Sequence, residues 1–243
     1  MELIKLLLMN SKYNRFSLSL LLVSILTLSA CSNYQNDVRQ TMSLAFYGTP
    51  DVVKSAAEVD KLPYASVYIK VEPNSRAFVL LAFVEPLPLF PSSTDATSPE
   101  FKWIARDGAM LATQFGRITR TAQLPAGNLV ATTSDKADPL SLGLQLSSTP
   151  KSWHRKIDWQ PGYHFGYSLD SRFEFVAEEN IVVNEKTVST LHFNEIVDVS
   201  ELDVQYQNQF WIDPVSGVVI KSRQKLAPSL PYVEMTTLKP YSS

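Results

Sequence analysis

Only one cysteine, Cys31, stands among the 243 residues. No disulfide can form within the chain, and no site can be built from several thiolates, so stability has to come from packing. Histidine is almost as scarce: His154, His164 and His192 fall into no H-E-x-x-H or similar spacing, which argues against a metal centre. No G-x-S-x-G elbow is present, so serine hydrolase chemistry lacks its usual nucleophile. Glycine is outnumbered, 8 against 15 prolines, while apolar residues make up 45% and aromatics 11%, a composition of packed β structure with defined loops and not of a disordered stalk. Charge of one sign is missing too. A formal net charge of -2 without clustered Lys and Arg leaves no footprint for nucleic acid.

Long apolar runs are limited to one place, near the amino terminus. Lys5, Lys12 and Arg15 precede a mostly apolar stretch over residues 17–28. At about a dozen residues it has the size of a signal h-region and falls short of the roughly 20 needed to span a bilayer. The run ends in Leu28-Ser29-Ala30-Cys31. This tetrad resembles the lipobox of bacterial lipoproteins, which implies cleavage between Ala30 and Cys31 and acylation of Cys31. Two or three acyl chains on one residue hold a membrane far more firmly than one, at about 0.8 kcal/mol per buried methylene. Ser32 is not the aspartate that retains many such proteins at the inner membrane, so the resemblance implies the periplasmic face of the outer membrane. The expected division is a signal peptide over residues 1–30, a lipidated tether over 31–37, and one β-rich periplasmic domain over 38–243. Losing the leader, with three basic residues and Glu2, shifts the net charge to about -4.

Beyond the tether, Tyr34, Val38, Met42 and Ala45 recur at helical intervals, predicting a short amphipathic helix ending near Gly48. Ser55 and Glu58 have capping-box spacing ahead of a second short helix stopped by Pro63. Strand signals then dominate. Residues 65–72 alternate, with Ala65, Val67, Ile69 and Val71 on one face and a half-solvated opposite face. Residues 77–84 are continuously apolar, as expected of the most buried strand, covered on both faces. Residues 85–100, with Pro86, Pro88, Pro91 and Pro99, predict a long loop. Arg106-Asp107-Gly108 predicts a hairpin between 101–105 and 109–113. Short strands follow at 116–121 and 129–133, then a polar loop over 134–150. Further strands are expected at 172–177, 181–183 and 188–193. The longest is expected over 202–212, with Leu202, Val204, Tyr206, Phe210 and Ile212 on one face, interrupted by Asn208. Asp213-Pro214-Val215-Ser216-Gly217 turns it into a strand over 218–226, with Val218 and Ile220 inward and Lys221, Arg223 and Lys225 outward. Residues 232–236 add an edge strand. About ten strands predict a mainly β fold, an antiparallel β-sandwich or an incompletely closed β-barrel with one or two short N-terminal helices.

Several stretches together resemble the YjbF/GfcB family of lipoproteins of exopolysaccharide and group 4 capsule loci. They are Pro63-Tyr64-Ala65-Ser66, residues 77–85, Trp103-Ile104-Ala105-Arg106-Asp107-Gly108, Gly116-Arg117-Ile118, Asp138-Pro139-Leu140, and Phe210-Trp211-Ile212-Asp213-Pro214 with Gly217. The resemblance implies a mostly β periplasmic domain that acts with other products of a polysaccharide locus in secretion or assembly. It brings no catalytic signature, and no cofactor is called for.

Three roles are therefore in competition. The first is a non-enzymatic accessory factor that docks to polysaccharide-export proteins. The second is a polysaccharide-binding module, with Trp153, Trp159 and Tyr163 as carbohydrate contacts in an aromatic segment over 153–167, since flat rings can stack on sugars. The third is a polysaccharide-modifying hydrolase, which needs two carboxylates; Asp198, Glu201 and Asp203, or Glu178 and Glu179, are the clustered candidates. A basic row of Lys221, Arg223 and Lys225 could meet an acidic partner or polymer, or serve only as a solvated edge.

Overall fold

The computed structural model describes residues 50–88 and 97–241. The signal peptide, the tether, Cys31 and the amphipathic helix expected around Val38 lie outside them. The described chain runs α1 (Ala56–Asp60), β1 (Ser66–Val71), β2 (Ala77–Pro88), β3 (Thr97–Ile104), β4 (Met110–Gln114), β5 (Arg117–Ala122), β6 (Asn128–Thr133), β7 (Ser152–Gln160), β8 (His164–Val183), β9 (Lys186–Val199), β10 (Val204–Ile212), β11 (Val219–Lys225) and β12 (Tyr232–Lys239). The twelve strands form one sheet in the order β5-β4-β3-β2-β1-β12-β11-β10-β9-β8-β7-β6, each paired strand antiparallel to its neighbour. The sheet curls into a near-closed barrel with one unsealed seam, between β5 and β6. Of the two architectures expected, the incompletely closed barrel is the one observed.

Local chemistry explains most boundaries. Ser55 Oγ accepts from Glu58 N at 3.3 Å and Glu58 Oε2 accepts from Ser55 N at 2.9 Å, the reciprocal capping box that starts α1. Gly108, at φ +87°, closes the β3–β4 hairpin. At the β10–β11 turn, one oxygen of Asp213 accepts from Val215 N and Ser216 N, at 3.0 and 2.7 Å, and Gly217 takes φ +73°.

Several expectations need correction. The strand at 232–236 is no edge, because β12 pairs with both β1 and β11. The outer face of β1 is not half-solvated at its start: Ser66 and Tyr68 are buried, with the Tyr68 hydroxyl accepting from Lys54 N at 2.6 Å and the Arg76 guanidinium 4.1 Å above the ring. β2 is not covered on both faces, because nothing among the described residues covers its outer face around Phe83, which is 58% exposed. The proline-rich loop is shorter than expected, since β2 and β3 continue into it with Pro86 opposite Pro99; residues 89–96 lie outside the description. β8, at 20 residues, is the longest strand, and β10 starts only at Val204 because Ser200–Leu202 form a 3-10 turn. Finally, β11 departs from its reading at its start: a register shift where Trp211 and Ile212 face Lys221 and Val219 leaves Val218 exposed and turns Val219 inward, while Lys221, Arg223 and Lys225 face outward as expected, with Ser222 and Gln224 inward. One extra residue in a strand is enough to exchange its faces.

Inside the barrel lie two apolar clusters. One surrounds Val67, Ile69, Trp159, Val197 and Val233; the other joins Phe173, Phe193, Phe210 and Ile212 with Leu140 and Leu144. The last two belong to the loop after β6, which the sequence presents as merely polar. Leu144 is fully buried, so the loop plugs its end of the barrel, each such leucine contributing about 1.5–3 kcal/mol by burial.

Candidate functional site at the barrel seam

β5 and β6 are consecutive in sequence yet stand at opposite ends of the strand order. Side chains hold them together where a ladder is lacking. Thr121 Oγ1 accepts from Leu129 N at 3.0 Å, Asn128 Oδ1 accepts from Leu124 N at 3.0 Å, and Thr132 Oγ1 donates to Thr119 O at 3.0 Å. At the start of β5 the amide of Gln224, reaching from β11, accepts from Ile118 N at 3.1 Å and donates to Gly116 O at 2.8 Å. Gln224 thus supplies the donor–acceptor pair that a neighbouring strand would offer. Backbone groups that would otherwise be buried without partners are satisfied this way.

Gln224 belongs to a polar belt across the barrel interior, between the two apolar clusters. Glu195, fully buried on β9, is at its centre: Oε1 accepts from Arg155 Nη1 at 2.9 Å, and Oε2 accepts from Arg117 Nη1 at 3.0 Å and Asn208 Nδ2 at 2.8 Å. Arg155 also donates to Ser171 Oγ at 2.6 Å. Arg117 reaches both carboxylate oxygens of Asp138 in the plug, and its guanidinium lies 4.7 Å from the Trp153 ring centre. Burial by itself would raise the Glu195 pKa, but the charges of Arg117 and Arg155 and the hydrogen bonds from Asn208 and Arg117 outweigh it and hold the carboxyl at about 2. Burial would likewise discharge Arg117, yet Asp138 and Glu195 push its pKa upward. The belt therefore carries full charges, each paired, and Arg117 ties barrel wall to plug.

Outside this belt the seam widens into a half-open groove of about 510 Å³, bounded by the ends of β2 and β3, the β4–β5 turn, β6 and the plug. Arg117, Asp138 and Trp153 line it from the interior side. Along its walls Lys102 pairs with Glu85 at 2.5 Å, and Arg120 with the buried Glu100 at 3.1 Å. Thr119, Thr132, Thr133, Ser134 and Ser141 add hydroxyls.

The residues singled out from sequence are distributed differently. Trp153 and Trp159 point inward from β7, at 7% and 1% exposure, and Tyr163 alone, at 94%, projects from the β7–β8 turn. Trp159 stacks on His164 at 4.3 Å and donates to Ser229 Oγ. The three rings thus form no common sugar platform, although Trp153 borders the groove. Of the carboxylate candidates, Glu201 accepts from Ser168 N, Asp198 accepts from Ser200 Oγ, and Glu179 contacts Trp211 and His192. None of Glu178, Glu179, Asp198, Glu201 and Asp203 lines the groove. The outward basic row is engaged internally: Arg223 forks onto Glu72 at 2.7 and 2.8 Å, Lys225 donates to Leu230 O, and Lys221 sits over Trp211. Among the described residues no group of three or more His, Cys, Asp or Glu could hold a metal ion. Sequence reasoning missed Arg117, Glu195 and Gln224. Only their placement within apolar, inward-facing alternations could have marked Glu195 and Gln224, and strand phase had to be right first.

This sequence over residues 39–238 matches the family described as "Group 4 capsule polysaccharide lipoprotein gfcB, YjbF". The chain belongs to that family. Among its relatives are the uncharacterized lipoprotein GfcB of Escherichia coli K12, 30% identical over 91% of this chain and 97% of that protein, and the uncharacterized lipoprotein YjbF of the same organism, 28% identical over 90% and 96%. The crystal structure of the hypothetical lipoprotein YmcC from E. coli K12 superposes with a TM-score of 0.66 at 32% identity, covering 78% of this chain and 90% of that one. YjbF/GfcB family members are outer-membrane-associated periplasmic lipoproteins, and that is the location of this chain.

Proposed function

We propose that this YjbF/GfcB family member is a non-enzymatic accessory lipoprotein of capsule or exopolysaccharide secretion, anchored through an acylated Cys31 after removal of residues 1–30, which docks to export proteins of the same locus. The observation that carries this reading is the family match over 39–238, which takes in nearly the whole barrel. The internal use of the candidate histidines and carboxylates supports a role without chemistry. Docking is further supported by apolar surface on the outer wall: Phe83 and Val84 lie exposed beside Tyr64 and Tyr241, around a depression of about 230 Å³. Exposed aromatic clusters of this kind mark protein contacts.

The test is a chromosomal deletion complemented with the native chain, Cys31→Ser or Phe83→Asp. The native chain restores surface polysaccharide and co-purifies with export proteins after cross-linking. Cys31→Ser leaves the protein out of the membrane fraction, and Phe83→Asp loses the cross-links without losing fold. A deletion strain with undiminished polymer sinks the reading.

A further inference from the structure

The seam groove has a feature that the docking reading leaves unused. Its charged side chains come mostly as fixed pairs, Lys102 with Glu85, Arg120 with Glu100 and Arg117 with Asp138. A side chain held by such a pair keeps its orientation while retaining unused donors or lone pairs, the arrangement suited to adjacent hydroxyls on a ring. One lining cation differs. Lys136, at the start of the plug, has no ion-pair partner among the described residues, and its backbone is fixed by the hydrogen bonds of its N–H to Ser134 Oγ and of its C=O from Trp153 Nε1. The groove volume falls within the range of roughly 300–1,000 Å³ seen for small-molecule sites. It is hydroxyl-rich and carries one uncompensated positive charge.

We infer that the groove between β5, β6 and the plug binds a short segment of an acidic polysaccharide, its hydroxyls meeting the paired side chains and the groove's threonines, and one carboxylate meeting Lys136. The polymer's identity rests on the export reading given above; the site and its preference for acidic sugar do not. The buried Trp153 bounds the groove here and does not act as a stacking platform, because Arg117 and Arg155 both lie over its ring, at 4.7 and 4.8 Å.

Isothermal titration of the full-length lipoprotein in detergent micelles tests this. The probes are oligosaccharides cut from the strain's own secreted polymer, and the same fragments with their carboxyl groups reduced to alcohols. Saturable binding of the acidic fragments is expected, weakened at least tenfold by reduction, by Lys136→Ala and by Lys102→Ala, with Val215→Ser, at an exposed residue of the β10–β11 turn that does not line the groove, as the unaffected control. After Lys136→Ala the two fragment sets bind alike. Absence of saturable binding, equal affinity of native protein for both sets, or loss of binding in Tyr163→Ala but not in the groove variants each overturns the inference. The two proposals fail separately. Native protein that binds neither fragment set, in a strain still needing it for secretion, breaks only this inference, whereas tight, Lys136-dependent binding by a protein dispensable for secretion breaks only the export reading.

Discussion

The wall of β8, β9 and β10 and the seam between β5 and β6 close the same barrel by different means. In the wall every residue of β10 from Val204 to Ile212 faces a partner in β9 without a register shift. At the seam four side-chain bonds and one glutamine from across the barrel do that work. A ladder is redundant, since each strand bond is backed by its neighbours, while a side-chain stitch depends on one residue. The difference explains why the groove opens there: strands that are stitched can part where the stitches stop.

The most severe way to break the comparison is at the belt. Glu195→Ala leaves Arg117 and Arg155 buried without their shared partner, and the expected loss is about 3–5 kcal/mol in denaturant unfolding. A loss below about 1 kcal/mol shows that the belt does not brace the seam. Acid probes the same group. Its folded pKa of about 2 lies beneath the ordinary 4.5, so the carboxylate's stabilisation is complete above 4.5 and disappears as pH falls through about 2. The native protein is expected to lose stability across that window, and Glu195→Gln, starting lower, to lose less of it.

Next in size is the turn into β5. A Cβ on Gly116 would stand 2.4 Å from Val219 Cβ, and the residue sits at φ +81°. Gly116→Ala should cost about 1–3 kcal/mol by overpacking, with a further penalty from the backbone. Gly166, on the wall strand β8 at φ +68°, has nothing within 4 Å of its would-be Cβ. Gly166→Ala carries the backbone penalty alone, and equal losses in thermal unfolding would remove the claim that Gly116 is a packing point of the seam.

How much of this was legible in the sequence depends on whether strand phase could be read locally. The capping box at Ser55, the turns at Gly108 and Gly217, and the inward faces of β1 and β10 follow from spacing, because one or two neighbours determine them. β7 was not legible, since its aromatic residues suit a sugar site as well as a core, and only pairing with β8 turns Trp153 and Trp159 inward. The face exchange at the start of β11 depends on a bulge against β10 that no residue type announces. The belt is hidden for a related reason: Asn208 interrupts an otherwise apolar face, but Glu195, to which it donates, and Arg117 and Arg155, which share that carboxylate, lie on other strands and come together only once the barrel has closed. The plug looks like polar loop in the sequence because Leu140 and Leu144 are isolated among small and polar residues.

Gln224→Leu keeps the volume of the side chain and removes its amide, leaving Ile118 N–H and Gly116 C=O without that partner. The expected cost is about 1–3 kcal/mol, together with faster hydrogen exchange at Ile118. Exchange at Val197, opposite Tyr206 in the wall, is expected to change only as far as global stability does.

The smallest effect offers the sharpest contrast, because the same bond occurs in both regions. Thr132 Oγ1 donates to Thr119 O across the seam at 3.0 Å, and Thr190 Oγ1 donates to Glu179 O within the β8–β9 wall at 2.9 Å. Replacing either threonine with valine removes one hydroxyl and should cost about 0.5–1.5 kcal/mol. The energies will be alike, but their distribution will not. In Thr190→Val the surrounding ladder keeps β8 and β9 in register, so amide protection there falls only with the global stability. In Thr132→Val a stitch is lost where Glu179's counterpart, a paired strand, is lacking, so exchange along β5 and β6 should rise several-fold above the global change. Uniform loss of protection in both variants would mean that the seam is as cooperative as the wall.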